Sequence, residues 1–90
     1  MIRAHLTIHG LVQGVFFRAE AQGKATELGV TGYVANDADG TVAVVAEGPK
    51  NLVTELIDWC HSGPSRAQVQ NVDVSYHTYT GEFGGFEIRY

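Results

Sequence analysis

Apolar and polar residues alternate through residues 3–9: Ala4, Leu6 and Ile8 fall on one side, and Arg3, His5, Thr7 and His9 on the other. A period of two predicts a strand with one buried face, ended here by Gly10. The period then lengthens. Between residues 16 and 29, Phe17, Ala21, Ala25 and Leu28 recur at helical spacing, Glu20, Lys24 and Glu27 lie off that stripe, and Gly29 supplies a C-terminal stop. Residues 30–36 and 41–47 are rich in Val, Thr and Tyr, and Asp37-Ala38-Asp39-Gly40 between them is a turn signal. They predict two strands in a hairpin, with Val42, Val44 and Ala46 toward the core. Gly48-Pro49 opens a second helix, with the proline placed in its first turn. Val53, Leu56, Ile57 and Cys60 form its apolar stripe, and Gly63-Pro64 ends it. Residues 67–78 and 83–90 read as two further strands. Parity shifts between Val69 and the set Val72, Val74 and Tyr76, which predicts a bulge or break. Phe86, Ile88 and Tyr90 share one strand face.

The predicted order is therefore β-α-β-β-α-β with an extra C-terminal strand. Helices that each carry a single apolar stripe must both pack on one sheet face. This is an α+β fold, a two-layer ferredoxin-like α/β sandwich, with an antiparallel sheet and two helices on one face. Its length of 90 residues fits one domain, residues 1–90. Such sandwiches host many unrelated functions, so the site must decide.

Charge narrows the choice. Ten scattered acidic residues against six basic ones leave a net charge of −4, which repels polyphosphate and argues against a nucleic-acid partner. An RNA-binding sandwich would also need aromatic residues on its exposed sheet face. The positions expected there are Arg3, His5, Thr7 and His9 on one strand and Thr41, Ala43, Val45 and Glu47 on the other, with no Phe, Tyr or Trp among them. Cys60 is the only cysteine, so no intrachain disulfide forms, which suits a reducing cytoplasm. Its place on the second helix's stripe predicts a small buried hydrophobe, with Trp59 packing at the stripe's edge. No apolar stretch reaches signal-peptide or membrane-spanning length, so a cytoplasmic chain without membrane contact is expected. His61 and His77 lack ligand-like spacing to another His, Cys or carboxylate, and no metal site is expected.

Two segments could carry chemistry. Gly10-Leu11-Val12-Gln13-Gly14-Val15-Phe16-Phe17-Arg18 joins a strand to a helix N-terminus. Backbone N–H groups there lack intrahelical partners and carry partial positive charge. A loop curling over them makes an anion cradle, and a guanidinium fork matches two phosphate oxygens. Arg18 sits where the helix dipole disfavours a cation, which an expected anion would explain. The loop is not a Walker-type phosphate loop. The cysteine-phosphatase alternative also fails, because Val12 stands where its nucleophile would be; no side chain here can serve covalent catalysis. The second segment is Gly32-Tyr33-Val34-Ala35-Asn36 with its following turn. The Asn36 amide both donates and accepts hydrogen bonds, so it can orient a water.

The first segment resembles the leading motif of acylphosphatases, whose core is Val-Gln-Gly-Val-x-Phe-Arg. The second resembles that family's Gly-[Trp/Tyr]-Val-x-Asn followed by a glycine turn. The Gly63-Pro64 step and the Phe86-Glu87-Ile88-Arg89 ending are also similar, so the likeness spans nearly the whole chain. Tyr33 stands where Trp is common, and Ala35 where a basic residue is frequent. The resemblance implies a cofactor-free monomeric hydrolase of the carboxyl–phosphate anhydride of small acyl phosphates. It implies phosphate binding by the backbone amides of Gln13, Gly14, Val15, Phe16, Phe17 and Arg18 and by the Arg18 side chain. Asn36 would position the attacking water, and inorganic phosphate or sulfate would compete. A domain of the same fold that binds the phosphate without hydrolysing it is the alternative.

Overall fold

In the computed structural model, which describes residues 1–90, the alternation of the first strand, β1 (Ile2–Leu11), buries Ala4, Leu6 and Ile8 beneath two helices. Helix α1 (Phe17–Leu28) starts one residue later than the sequence suggests, because Phe16 has a left-handed backbone at the N-cap. It buries Phe17, Ala21 and Ala25, while Leu28 is only half-buried. The Gly29 and Val30 N–H groups close its C-terminus on the Thr26 and Ala25 carbonyls. Strands β2 (Thr31–Asn36) and β3 (Val42–Gly48) form the expected hairpin, and Val42, Val44 and Ala46 reach the core. Pro49 is the N-cap of helix α2 (Lys50–Ser62) and not part of its first turn. The α2 stripe packs as predicted, and Phe17 meets Trp59 across the helix pair at a ring separation of 5.4 Å.

Strand β4 (Gln68–His77) pairs with β1, and the register slips where expected. His9 faces Asn71 but Gly10 faces Val69, so Gln70 is the extra residue of a bulge. Strand β5 is short, Phe86–Arg89. The sheet order is β4-β1-β3-β2-β5. Its first four strands are antiparallel, but β5 runs parallel to β2, so the sheet is mixed and not wholly antiparallel. The cause lies in the connection. From β4 at one edge, residues 78–85 cross the face opposite the helices and enter the far edge.

That crossing corrects a second expectation. Glu47 was placed on an exposed sheet face, yet it is 1% exposed, and Val45 beside it is 3% exposed. The strap holds the Glu47 carboxylate. Thr80 donates its N–H (2.9 Å) and its hydroxyl (2.9 Å), Gly81 donates its N–H (3.0 Å), and Arg3 completes the set from β1 at 3.0 Å. Arg3 also pairs with Glu82 at 2.9 Å and lies over the Phe83 ring. A buried carboxylate with four donors is stable where a bare one would not be. Farther along the strap, Phe83 packs on Tyr33, and the Arg89 guanidinium sits 3.9 Å from the Tyr33 ring centre. The outer face is thereby closed over part of its width.

Candidate active site

The β1–α1 loop owes its shape to two left-handed residues. Gly14 has φ 73°, where a Cβ would be strained although nothing crowds it. Phe16 has φ 64° and ψ 18°, and it is the only non-glycine residue with positive φ. That conformation costs roughly 1 kcal/mol or more in a residue with a Cβ. It is held in place by burial on either side: Val12 is 1% and Phe17 2% exposed. Phe16 itself points to solvent, and its carbonyl accepts the Glu20 N–H. No backbone carbonyl accepts a hydrogen bond from the N–H groups of Gln13 to Ala19. Left-handed turns of this kind aim successive N–H groups into one concavity, with the helix dipole behind them.

The hairpin is brought to the same place. Period two puts Asn36 on the face of buried Val34, which is the helix side, at the exposed end of β2. The motif glycine Gly32 lies where β2 backs onto β3, and a Cβ there would collide with the Val45 carbonyl. The Gln13 side-chain amide spans the gap between the motifs, donating to the Asp37 carbonyl at 2.8 Å and the Thr41 carbonyl at 2.9 Å. The turn is braced in its own right: the Thr41 hydroxyl and N–H both donate to Asp39, which holds that carboxyl below the usual range.

Loop and hairpin meet at a cleft of about 260 Å³ that Gly14, Arg18 and Asn36 line together. Because β5 is parallel to β2, both strands point their C-terminal ends here, and Ile88 and Tyr90 complete the wall. Arg18 is the one arginine of these walls. The chain's carboxylate ion pairs belong to Arg3, His9 and Arg89, so Arg18 carries no internal counter-ion. Its guanidinium instead stacks 4.8 Å from the Tyr90 ring centre. An uncompensated cation beside unused N–H groups favours an anion.

Among the residues singled out in the sequence, Arg18, Asn36 and the 13–18 loop come together. The Gln13 side chain, Ile88 and Tyr90 were not foreseen as parts of the site. Apolar parity along 86–90 signalled a shared face but not where β5 would dock. His9 lies elsewhere, bonded to Asp73 at 2.8 Å on the outer face. His61 bonds the Ile57 carbonyl of its own helix. Nowhere do three His, Cys, Asp or Glu side chains gather as metal ligands would, and no helix is long and apolar enough to cross a membrane. Cys60 is fully buried, and burial pushes its thiol up to about 12.

The acylphosphatase family model matches residues 4–88. The chain belongs to the acylphosphatase family. It is 50% identical over 88 residues to an acylphosphatase of Pelotomaculum thermopropionicum, covering 98% of this chain and 96% of that one. The crystal structure of acylphosphatase from Bacillus subtilis superposes with a TM-score of 0.96 at 30% identity, with both chains covered completely. An acylphosphatase structure from Coxiella burnetii gives 0.93 at 38% identity, covering 98% of this chain and 92% of that one. The ferredoxin-like sandwich with its added strand is thus the acylphosphatase architecture. The chain is an acylphosphatase-type hydrolase, acting on the carboxyl–phosphate bond of acyl phosphates.

Proposed function

We propose that the loop amides of Gln13 to Arg18 and the Arg18 guanidinium bind the phosphoryl group, and that Asn36 positions the attacking water. The observation that carries this reading is the uncompensated Arg18 beside unbonded N–H groups in the cleft that Asn36 also lines. The site offers phosphoryl oxygens fixed donors that need little rearrangement as charge builds. Water attacks phosphorus in line. Its oxygen forms the new P–O bond, the bond from phosphorus to the acyl oxygen breaks, and the carboxylate leaves with that electron pair. A carboxylate leaving group needs no strong general acid. The water's proton passes to a phosphoryl oxygen, since no carboxylate or histidine lines the cleft. Gln13 to Phe17 contain no nucleophilic side chain, so no phosphoenzyme forms. The reading takes the chain as a cofactor-free monomer of the cytoplasm, acting on a small-molecule substrate with inorganic phosphate and sulfate as competitors.

Hydrolysis of an acyl phosphate in heavy-oxygen water tests the route, with Arg18→Ala beside the wild type. Label should enter inorganic phosphate and not the carboxylate, and Arg18→Ala should lose turnover by about a hundredfold or more while keeping its circular dichroism. Label in the carboxylate, or substantial turnover in the variant, would overturn the reading.

A further inference from the structure

We infer that the cleft also reads the acyl group, through an apolar wall of Phe16, Ile88 and Tyr90, and that the enzyme prefers acyl phosphates with hydrocarbon acyl groups over acetyl phosphate and over acyl groups bearing a second charge. The inference rests on the phosphate placement proposed above.

Three observations carry it. The cleft, about 260 Å³, exceeds what one phosphate fills; it equals several waters at roughly 30 Å³ each. With phosphate at the loop amides, the apolar side chains of the lining that remain for the acyl group include Phe16, Ile88 and Tyr90. These side chains also keep apolar surface open to the cleft, although Ile88 packs in part against the core and Tyr90 lies under the Arg18 guanidinium. Phe16 is 68% and Tyr90 99% exposed, and Ile88 is half-buried. Phe16 is presented to solvent by a left-handed backbone that its Cβ opposes. Apolar surface held open beside a polar anchor is the ordinary make-up of a ligand site. Finally, Arg18 is the only charged side chain lining the cleft. Arg89, between Ile88 and Tyr90 in sequence, is turned away onto the Tyr33 ring. A second phosphate or carboxylate on the acyl group would find no cation, in a chain whose net charge is −4.

Acetyl, butanoyl, hexanoyl and succinyl phosphate decide the matter. Acetate, butanoate and hexanoate are leaving groups of similar acidity, so their rates differ mainly by contacts to the chain. Succinyl matches butanoyl in length but adds a carboxylate. Wild-type kcat/KM should rise about tenfold from acetyl to hexanoyl phosphate, with succinyl well below butanoyl. Phe16→Asn keeps a residue that tolerates the left-handed backbone, and Tyr90→Ser removes the second ring. Each should shrink the hexanoyl-to-acetyl ratio, and the double variant should bring it near one. A wild-type ratio near one, or a ratio unmoved by both substitutions, overturns the inference. The two readings fail differently. The wall fails through that ratio while Arg18→Ala is inactive, whereas an active Arg18→Ala removes the phosphate placement and the wall with it.

Discussion

The Gln13 side-chain amide donates to the Asp37 backbone carbonyl at 2.8 Å, joining the loop that carries Arg18 to the hairpin that carries Asn36. A second bond from the same nitrogen, to the Thr41 carbonyl, fixes the direction of approach. The clamp is short-range, but it sets the relation between the two motifs. Gln13→Ala should lower kcat tenfold or more at a stability cost of only about 1–2 kcal/mol. Gln13→Glu should be worse, since a carboxylate would confront two carbonyls and the bound anion. Kinetics paired with thermal melts separate the two effects. Unchanged kcat in Gln13→Ala would show that the hairpin is placed without this contact.

Asn36 sits at an exposed strand end, where little packing depends on it. Asn36→Ala should therefore fold normally and lower kcat far more than it raises KM, because orienting water matters chiefly in the transition state. Steady-state kinetics at several substrate concentrations give the split. A rise in KM alone would assign Asn36 to substrate binding.

Acid should loosen the fold in two stages. His5 is held below its ordinary value near 6.5 by burial first, then by the neighbouring His77 and Arg3. Its Nε2 accepts from Arg3 Nε at 3.0 Å, a bond only the neutral ring can make. Burial alone would raise the Glu47 carboxyl, but hydrogen bonds from Thr80, Arg3 and Gly81 together outweigh it and hold it below 4.5. Both groups bind protons more readily unfolded than folded, so each contributes stability above its unfolded value that fades as pH falls. The melting temperature should be level above pH 7, sag as pH drops below about 6.5 and fall again below about 4.5. Glu47→Gln should shrink the lower step, leaving the share of Asp39 and Asp73, and cost about 1–3 kcal/mol at neutral pH. A lower step of undiminished size in Glu47→Gln would place it wholly on other carboxylates.

Cys60, fully buried with its thiol raised to about 12, should resist thiol reagents in the native chain and react only on unfolding. Cys60→Ser should keep kcat while losing about 1–3 kcal/mol, the cost of a buried hydroxyl without an assured partner. Denaturant titration and kinetics on the variant check both. Inactivation of a folded Cys60→Ser would tie this helix to the site.

The two helices, the hairpin and the β4 bulge were legible because each rests on local signals: apolar spacing, glycine stops, Asp-Gly turn chemistry. Features that depend on distant partners were not. Glu47 alternates correctly for an outward position, and only the arrival of Thr80 and Gly81 makes that position an interior one. The direction of β5 was equally hidden. Nothing in Phe86–Arg89 states whether the strand joins an edge parallel or antiparallel; the path of residues 78–85 decides it. Tyr90 and Ile88 became visible as site residues only once that edge was known.

The crossing of residues 78–85 also predicts an order of assembly. Four strand spacings of about 4.8 Å separate β4 from β5, so the connection bridges roughly 19 Å. It can settle only on a sheet whose inner strands are already paired. The wall containing Ile88 and Tyr90 should therefore close after the inner strands pair, through a contact between β2 and β5 more than fifty residues apart in sequence. Refolding followed by sheet signal and by turnover together should show the backbone recovering first and full acyl selectivity last.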